Sequence, residues 1–235
     1  MNITMLKKLM DLLEVNQVTF IDFETTGLDP AEDYPTEVAV RTMRVDEASW
    51  EHLTVSELTV HDYSSLIKVP EHVEISEFIA NYTGIDNELL DEEGREIYEV
   101  AQELAEYVED NNTLVVAHSA SFELGYLYHH FGIVPSKFLC TKAVTFLEEP
   151  AESSSLEPSH KRLCPKTHSK QTHRAMGDVV MLSELFKVLL KQIGVDVMAH
   201  YANRLVVEPD RPLRFEPHNA KVLDLSITFD KKPKG

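Results

Sequence analysis

The chain has 235 residues, 43% hydrophobic and 26% charged, which fits one ordinary globular domain with extra terminal material and excludes a disordered polymer. A formal net charge of −18 excludes a protein that coats long stretches of nucleic acid by neutralising phosphates. Two cysteines, Cys140 and Cys164, are too few for a disulfide scaffold and predict a reducing, cytoplasmic setting.

The first segment, Met1 to Leu13, is broken by Lys7, Lys8 and Asp11, with Glu14 just beyond, so it reads as an amphipathic helix and not a signal peptide. No later apolar run is long enough to span a bilayer, so no membrane is expected as a partner. Val18 to Glu24 reads as a short buried strand ending in the turn Thr25-Thr26-Gly27. Glu37 to Val45 and Leu53 to Val60 alternate apolar and polar residues and predict two more strands. Glu93 to Glu109 is the clearest helix, with Ile97, Val100, Ala101, Leu104 and Val108 on one face. Leu114 to Ala117 predicts a fourth strand, followed by helices over Ala120 to Phe131 and Thr141 to Leu147. After a Ser-rich loop, a last strong helix covers Arg174 to Ile193. Three strands followed by alternating helix and strand predict an α/β sheet, part antiparallel and part parallel. Residues 194–235 form a C-terminal extension with Pro209, Pro212, Pro217 and Pro233, one candidate strand from Val222 to Phe229, and no assigned role.

Charge is unevenly spread. Asp86 to Asp110 holds eleven acids against Arg95 alone, a block that repels phosphate. Pro158 to Gly177 holds no acid and five bases, Lys161, Arg162, Lys166, Lys170 and Arg174, where phosphate is welcome.

Asp22 and Glu24 lie two apart near the end of the first strand, so their carboxylates share one face and one small volume. Such repulsion is relieved by a proton or a cation, and an oxygen-only cluster suits Mg²⁺ or Mn²⁺. Glu123 and Asp178 each fall near a predicted helix start, where the helix dipole alone would also explain an acid. His173 precedes Asp178 by five residues, about 140° around a helix. The two converge only if His173 comes from the loop before the helix, with Thr172 as N-cap. Cys164 and His168, with His160 or His173, have a spacing that a zinc site tolerates, but no fourth ligand is evident, which makes this a minor alternative.

Three segments, IDFETTGL (21–28), AHSASFELGYL (117–127) and HRAMGD (173–178), occur in an order and spacing that resemble the DnaQ-like, or DEDDh, 3′→5′ exonuclease family. Tyr82-Thr83-Gly84-Ile85 and Leu139-Cys140-Thr141 are similar to lesser family segments, and the likeness covers roughly residues 17 to 190. The resemblance implies a ribonuclease H-like fold, a mixed five-stranded sheet flanked by helices. It places the exonuclease domain at 1–193, with 1–16 as an N-terminal helix. It implies that Asp22, Glu24, Glu123 and Asp178 hold two Mg²⁺ or Mn²⁺ ions and that His173 is the general base. Thr25, Thr26, Gly27, Leu28 and His118 would bind the terminal nucleotide. The substrate implied is a single-stranded or frayed DNA 3′ end, because Leu139-Cys140-Thr141 resembles the exonuclease X branch. An exoribonuclease of the same family, or an accessory module impaired in catalysis, are the alternatives. A polymerase or other replication protein is the partner class suggested, with the tail as its docking strap. Two positions depart from the family pattern: Glu123, where Asp is usual, and Ser119, where Asn is frequent.

Overall fold

The computed structural model describes residues 3–50, 53–108, 111–168, 170–207 and 212–225, with the backbone alone for 46–50 and 53–57. Strands β1 (Gln17–Thr25), β2 (Pro35–Trp50), β3 (Leu53–Leu66), β4 (Thr113–Ala117) and β5 (Lys137–Cys140) form one sheet in the order β3-β2-β1-β4-β5. β1 runs antiparallel to β2 and parallel to β4, β2 is antiparallel to β3, and β4 is parallel to β5. Helices α1 (Ile3–Leu12), α2 (Glu77–Thr83), α3 (Asn87–Glu93), α4 (Ile97–Val108), α5 (Ala120–Phe131), α6 (Thr141–Glu148), α7 (Leu156–Leu163), α8 (Ala175–Ile193) and α9 (Val195–His200) surround it. This is the mixed five-stranded, ribonuclease H-like α/β arrangement expected.

The central strand is apolar on both faces because both are covered. Val18 and Phe20 point with Leu114, Val116 and Leu139 into a core shared with α1 and α8. Ile21 and Phe23 point with Val115, Ala117 and Phe138 into a second core shared with α4 and α5. Fully burying a side chain such as Phe20, whose ring meets Phe186 of α8 edge-on at 5.2 Å, contributes about 1.5–3 kcal/mol. The two-residue period that sends Val18 and Phe20 toward α8 sends Asp22 and Glu24 the same way.

Several expected boundaries move. The helix expected over Glu93 to Glu109 is α4, which starts only at Ile97; Glu93 ends the separate helix α3, and Glu109 lies outside the described residues. Gly94 separates them at a close approach, since a Cβ there would sit 2.3 Å from the Leu90 carbonyl oxygen. α8 is preceded by Arg174 at the N-cap position, not by Thr172. Short elements α2, α7 and β5 carry too few residues for a period to show. Gly84, at φ 74°, closes α2 in the left-handed conformation glycine tolerates best.

The tail folds onto the same core. α9 packs on α1 and α8. β6 (Arg204–Val207) and β7 (Lys221–Asp224) form a small parallel pair, with fully buried Leu205 in the second core. Asn203 bridges β5 to the tail: its N–H donates to the Phe138 carbonyl at 2.8 Å and its side-chain oxygen accepts from the Phe138 N–H at 3.0 Å. Of the strand expected from Val222 to Phe229, residues up to Asp224 are strand and 226–229 lie outside the described residues, as do Pro209 and Pro233.

Candidate active site

β1 delivers Asp22 and Glu24 to the α8 face of the sheet, and the first turn of α8 delivers Asp178 to the same point. One carboxylate oxygen from each lies within 4.8 Å of the others, the one such group of metal-capable side chains among the described residues. Glu37 stands beside them, since β2 sets it directly opposite Glu24. Arg174 neutralises Glu37 through a fork, Nε to Oε2 at 3.0 Å and Nη2 to Oε1 at 2.8 Å, and the Ala175 N–H donates to Oε2 at 3.0 Å. Glu37 therefore pins the start of α8 to the sheet and so places Asp178. Sequence reasoning missed it; its signal was an acid in phase with Ala39 and Met43, on the inward face of a strand.

Glu123 reaches the cluster from the other side. The parallel ladder between β1 and β4 ends at Phe20 and Val116, and beyond it the chain turns into α5. Glu123, in the first turn of α5, fills that gap by accepting the Phe23 N–H at 3.2 Å. Its carboxylate thus fixes the backbone between Asp22 and Glu24 and stands outside the three-residue group.

The electrostatics agree with the geometry. Burial, then the charges of Glu123, Asp178, Glu24 and Glu37, hold the Asp22 carboxyl well above the carboxylate range, although part of its surface stays open. Glu24 is pushed up to about 8 by burial, then by Asp178 and Glu37, against a lowering pull from Arg174. Asp178 rises to about 6, chiefly by burial and against a hydrogen bond donated by the Gln171 amide. Glu123 also rises well above its usual value, first by burial and then by Glu24. Asp178 Oδ1 is buried with no hydrogen-bond partner. A divalent cation would satisfy that orphan oxygen and relieve the repulsion, so these residues fit one.

The turn after β1 is tightly specified. Thr25 Oγ1 and the Tyr126 hydroxyl both donate to the Gly27 carbonyl, at 2.6 and 3.0 Å. The Thr26 N–H donates to Tyr34 O, and the Tyr34 N–H returns to Thr26 Oγ1, each at 2.9 Å. A Cβ on Gly27 would lie 2.2 Å from Asp33 Oδ2, which already accepts the Asp29 N–H at 2.8 Å. Leu28 is 62% exposed and lines a cleft of about 600 Å³ with Tyr82, Ser119, Phe122, Lys142 and Arg214.

Two expected site residues sit differently. His118 is buried away from solvent: its Nε2 donates to Ser154 O at 2.8 Å and its Nδ1 meets Thr141 Oγ1 at 3.0 Å. Burial lowers its pKa to about 3, so it is a neutral bracket joining β4, α6 and the Ser-rich loop, with no nitrogen left for substrate. His173 comes from the loop before α8, as convergence with Asp178 requires, and has a φ of 52°. Its ring stacks on Tyr82, with centroids 3.8 Å apart, and its nitrogens lie outside the three-carboxylate group. Burial lowers its pKa below 6.5.

The basic segment is less free than its composition suggests. Arg162 pairs with Glu149 at 2.6 Å and Arg174 with Glu37, leaving Lys161, Lys166 and Lys170 exposed. The zinc alternative is not supported. His160 Nδ1 faces His168 Nδ1 at 3.3 Å and His160 Nε2 faces Glu184 at 2.9 Å, but Cys164 does not complete a group with them. Among the described residues, no helix is long and apolar enough to cross a membrane.

Solved structures share this fold. Escherichia coli exonuclease I in a zinc-bound complex with single-stranded DNA superposes with a TM-score of 0.59 at 16% identity, over 78% of this chain and 42% of that one. The same enzyme with a dT13 oligonucleotide gives 0.56 at 19% identity, over 75% and 41%. The exonuclease family model matches residues 19–186, which carry all four carboxylates and His173, and the chain belongs to that family, as a DnaQ-like exonuclease. A PolC-type DNA polymerase III of Thermotoga petrophila is 29% identical over 193 residues, which is 78% of this chain and 13% of that protein. Its Thermotoga maritima counterpart is 34% identical over 124 residues, 52% of this chain and 8% of that protein. The chain thus spans a small part of these polymerases.

Proposed function

We propose that this chain is a metal-dependent 3′→5′ exonuclease that releases nucleoside 5′-monophosphates from single-stranded or frayed DNA. The observation that carries it is the meeting of Asp22, Glu24 and Asp178, from distant segments, within 4.8 Å and with an unpartnered Asp178 oxygen. These three would hold two Mg²⁺ or Mn²⁺ ions, which when bound supply an acidified water and charge stabilisation at the phosphodiester. Glu123 keeps the Asp22 and Glu24 backbone in place through the Phe23 N–H. His173 takes the proton of the attacking water at an imidazole nitrogen, which requires its ring to leave Tyr82. The backbone of Thr25 to Gly27 holds the terminal nucleotide, and exposed Leu28 meets its base. DNA is the substrate we favour because the exonuclease I structures that share the fold hold single-stranded DNA. The PolC-type relatives are DNA polymerases, which makes a polymerase the partner to test.

The test is hydrolysis of 5′-labelled single-stranded DNA and a matched RNA, with Mg²⁺ or with EDTA, by wild type and Asp22→Ala. A ladder shortening from the 3′ end of DNA, absent with EDTA and in the variant, is expected. Cleavage of RNA alone would move the assignment to an exoribonuclease, and no cleavage of either would overturn it.

A further inference from the structure

The tail, which lies beyond the family's residues 19–186, builds one wall of the cleft that Leu28 lines. Leu205 and Val206 of β6 and the strap 212–215 supply that wall. The strap is fastened to α5: Ser121 Oγ accepts the N–H groups of Arg214 and Phe215 at 2.6 and 2.9 Å and donates to the Phe215 carbonyl at 2.9 Å. The Phe215 ring stacks on Tyr128 with centroids 4.9 Å apart. Gly125 of α5 lies where the strap meets the loop after Leu28, since a Cβ there would sit 2.6 Å from Pro30 Cγ and 3.1 Å from Phe215 Cβ. The opposite wall is the start of α6, where the Lys142 N–H donates to the His118 carbonyl at 3.1 Å. The cleft thus opens beyond the carboxyl ends of parallel β4 and β5, the place where α/β sheets hold ligands.

The charge of this cleft runs against that of the chain. The sequence carries 40 acidic residues against 22 lysines and arginines, yet no Asp or Glu is among the described residues that line the cleft, whose charged side chains are Lys142 and Arg214. A second cavity, of about 820 Å³ at α3 and α5, has the opposite character: Glu71, Glu74, Asp91 and Glu96 line it against Lys68. A cleft walled by one sign of charge focuses potential and gathers counter-ions, so the first cleft selects an anion and the second repels one. Its volume of about 600 Å³ exceeds what an inorganic anion fills, and Phe122, Leu205 and Leu213 give it apolar surface beside the two cations. A nucleotide strand offers both, phosphates for the cations and sugars and bases for the apolar walls. Resting on the exonuclease proposal above, we infer that the tail strap and α6 form a channel in which Arg214 and Lys142 hold backbone phosphates of the strand behind its 3′-terminal nucleotide. The channel reconciles a net charge of −18 with nucleic-acid binding, because phosphate is neutralised at one local place on a surface that otherwise repels it. A released mononucleotide lacks those phosphates and loses this hold.

The experiment is fluorescence anisotropy of 5′-fluorescein dT12, and of the same oligomer with uncharged methylphosphonates at the second to fifth linkages from its 3′ end, across a salt series. Ca²⁺ replaces Mg²⁺, and the full chain is used as wild type, Arg214→Ala and Lys142→Ala. Each variant should weaken dT12 binding about 3- to 30-fold, between the worth of an exposed ion pair and that of a charge-assisted hydrogen bond. Each should also flatten the slope of log K against log salt by about 0.7, the value for one phosphate contact on a single strand. The methylphosphonate oligomer should bind wild type more weakly than dT12 does, and on it the two substitutions should cost nothing further. Unchanged affinity and slope in either variant, the same loss on both oligomers, or no binding by wild type would overturn the channel. Charge-dependent binding without any hydrolysis in Mg²⁺ would keep the channel and sink the exonuclease proposal. Hydrolysis from the 3′ end with wild-type affinity in both variants would do the reverse.

Discussion

Glu123→Gln separates the two things Glu123 does. The amide oxygen keeps an acceptor for the Phe23 N–H, which lies 3.2 Å from Oε2, while the negative charge is removed. That charge is the largest electrostatic cause, after burial, of the raised Asp22 pKa. A group whose folded pKa is raised binds more protons folded than unfolded, so stability falls as pH climbs above the unfolded value near 4.5. The penalty is absent at pH 4 and grows up to the folded pKa. A buried like-charge contact of this kind costs on the order of 1–3 kcal/mol, and each kcal/mol moves the midpoint by about 2–4 °C in a chain of this size. In EDTA, Glu123→Gln should therefore melt about 3–10 °C higher than wild type at pH 8 and no higher at pH 4. Thermal unfolding followed by circular dichroism across pH gives the answer. An unchanged midpoint at pH 8, or a shift of equal size at both pH values, would refute the claim that these carboxylates repel one another in the folded state.

Arg174→Ala leaves buried Glu37 with only the Ala175 N–H; allowing for the part of Arg174 that faces solvent, the loss should be about 1–3 kcal/mol, read by urea unfolding. Gly27→Ala forces Asp33 out of its bond to the Asp29 N–H, and KM for dT12 should rise with a smaller change in kcat. His173 must be neutral to accept a proton, and its pKa lies below 6.5. Activity should hold through pH 6.5 and fall only below it, and His173→Ala should remove that acid limb from the pH profile along with most of kcat.

The sheet was legible where residues repeat. Val18 to Glu24 announces a strand by its apolar, β-rich composition ahead of a Thr-Thr-Gly turn, and α8 shows a full stripe from Val179 to Leu189. The site was legible for a similar reason: two acids two apart on a strand must share a face wherever that strand lies. What escaped depends on contacts between distant segments. Glu37 gains its meaning from a register opposite Glu24, which nothing local specifies. His118, inside a motif beside Glu123, looks as available as its neighbours until the Ser-rich loop closes over it. The tail offers no period, yet Ser121 Oγ holds it by accepting the N–H groups of Arg214 and Phe215, at 2.6 and 2.9 Å.

Calorimetric titration of Mn²⁺ into the metal-free chain at pH 8, for wild type and Asp178→Asn, tests the shared cation site most directly. Saturable binding by wild type, with loss or marked weakening in the variant, is the predicted result. Equal Mn²⁺ binding by both proteins, or none by wild type, would contradict it.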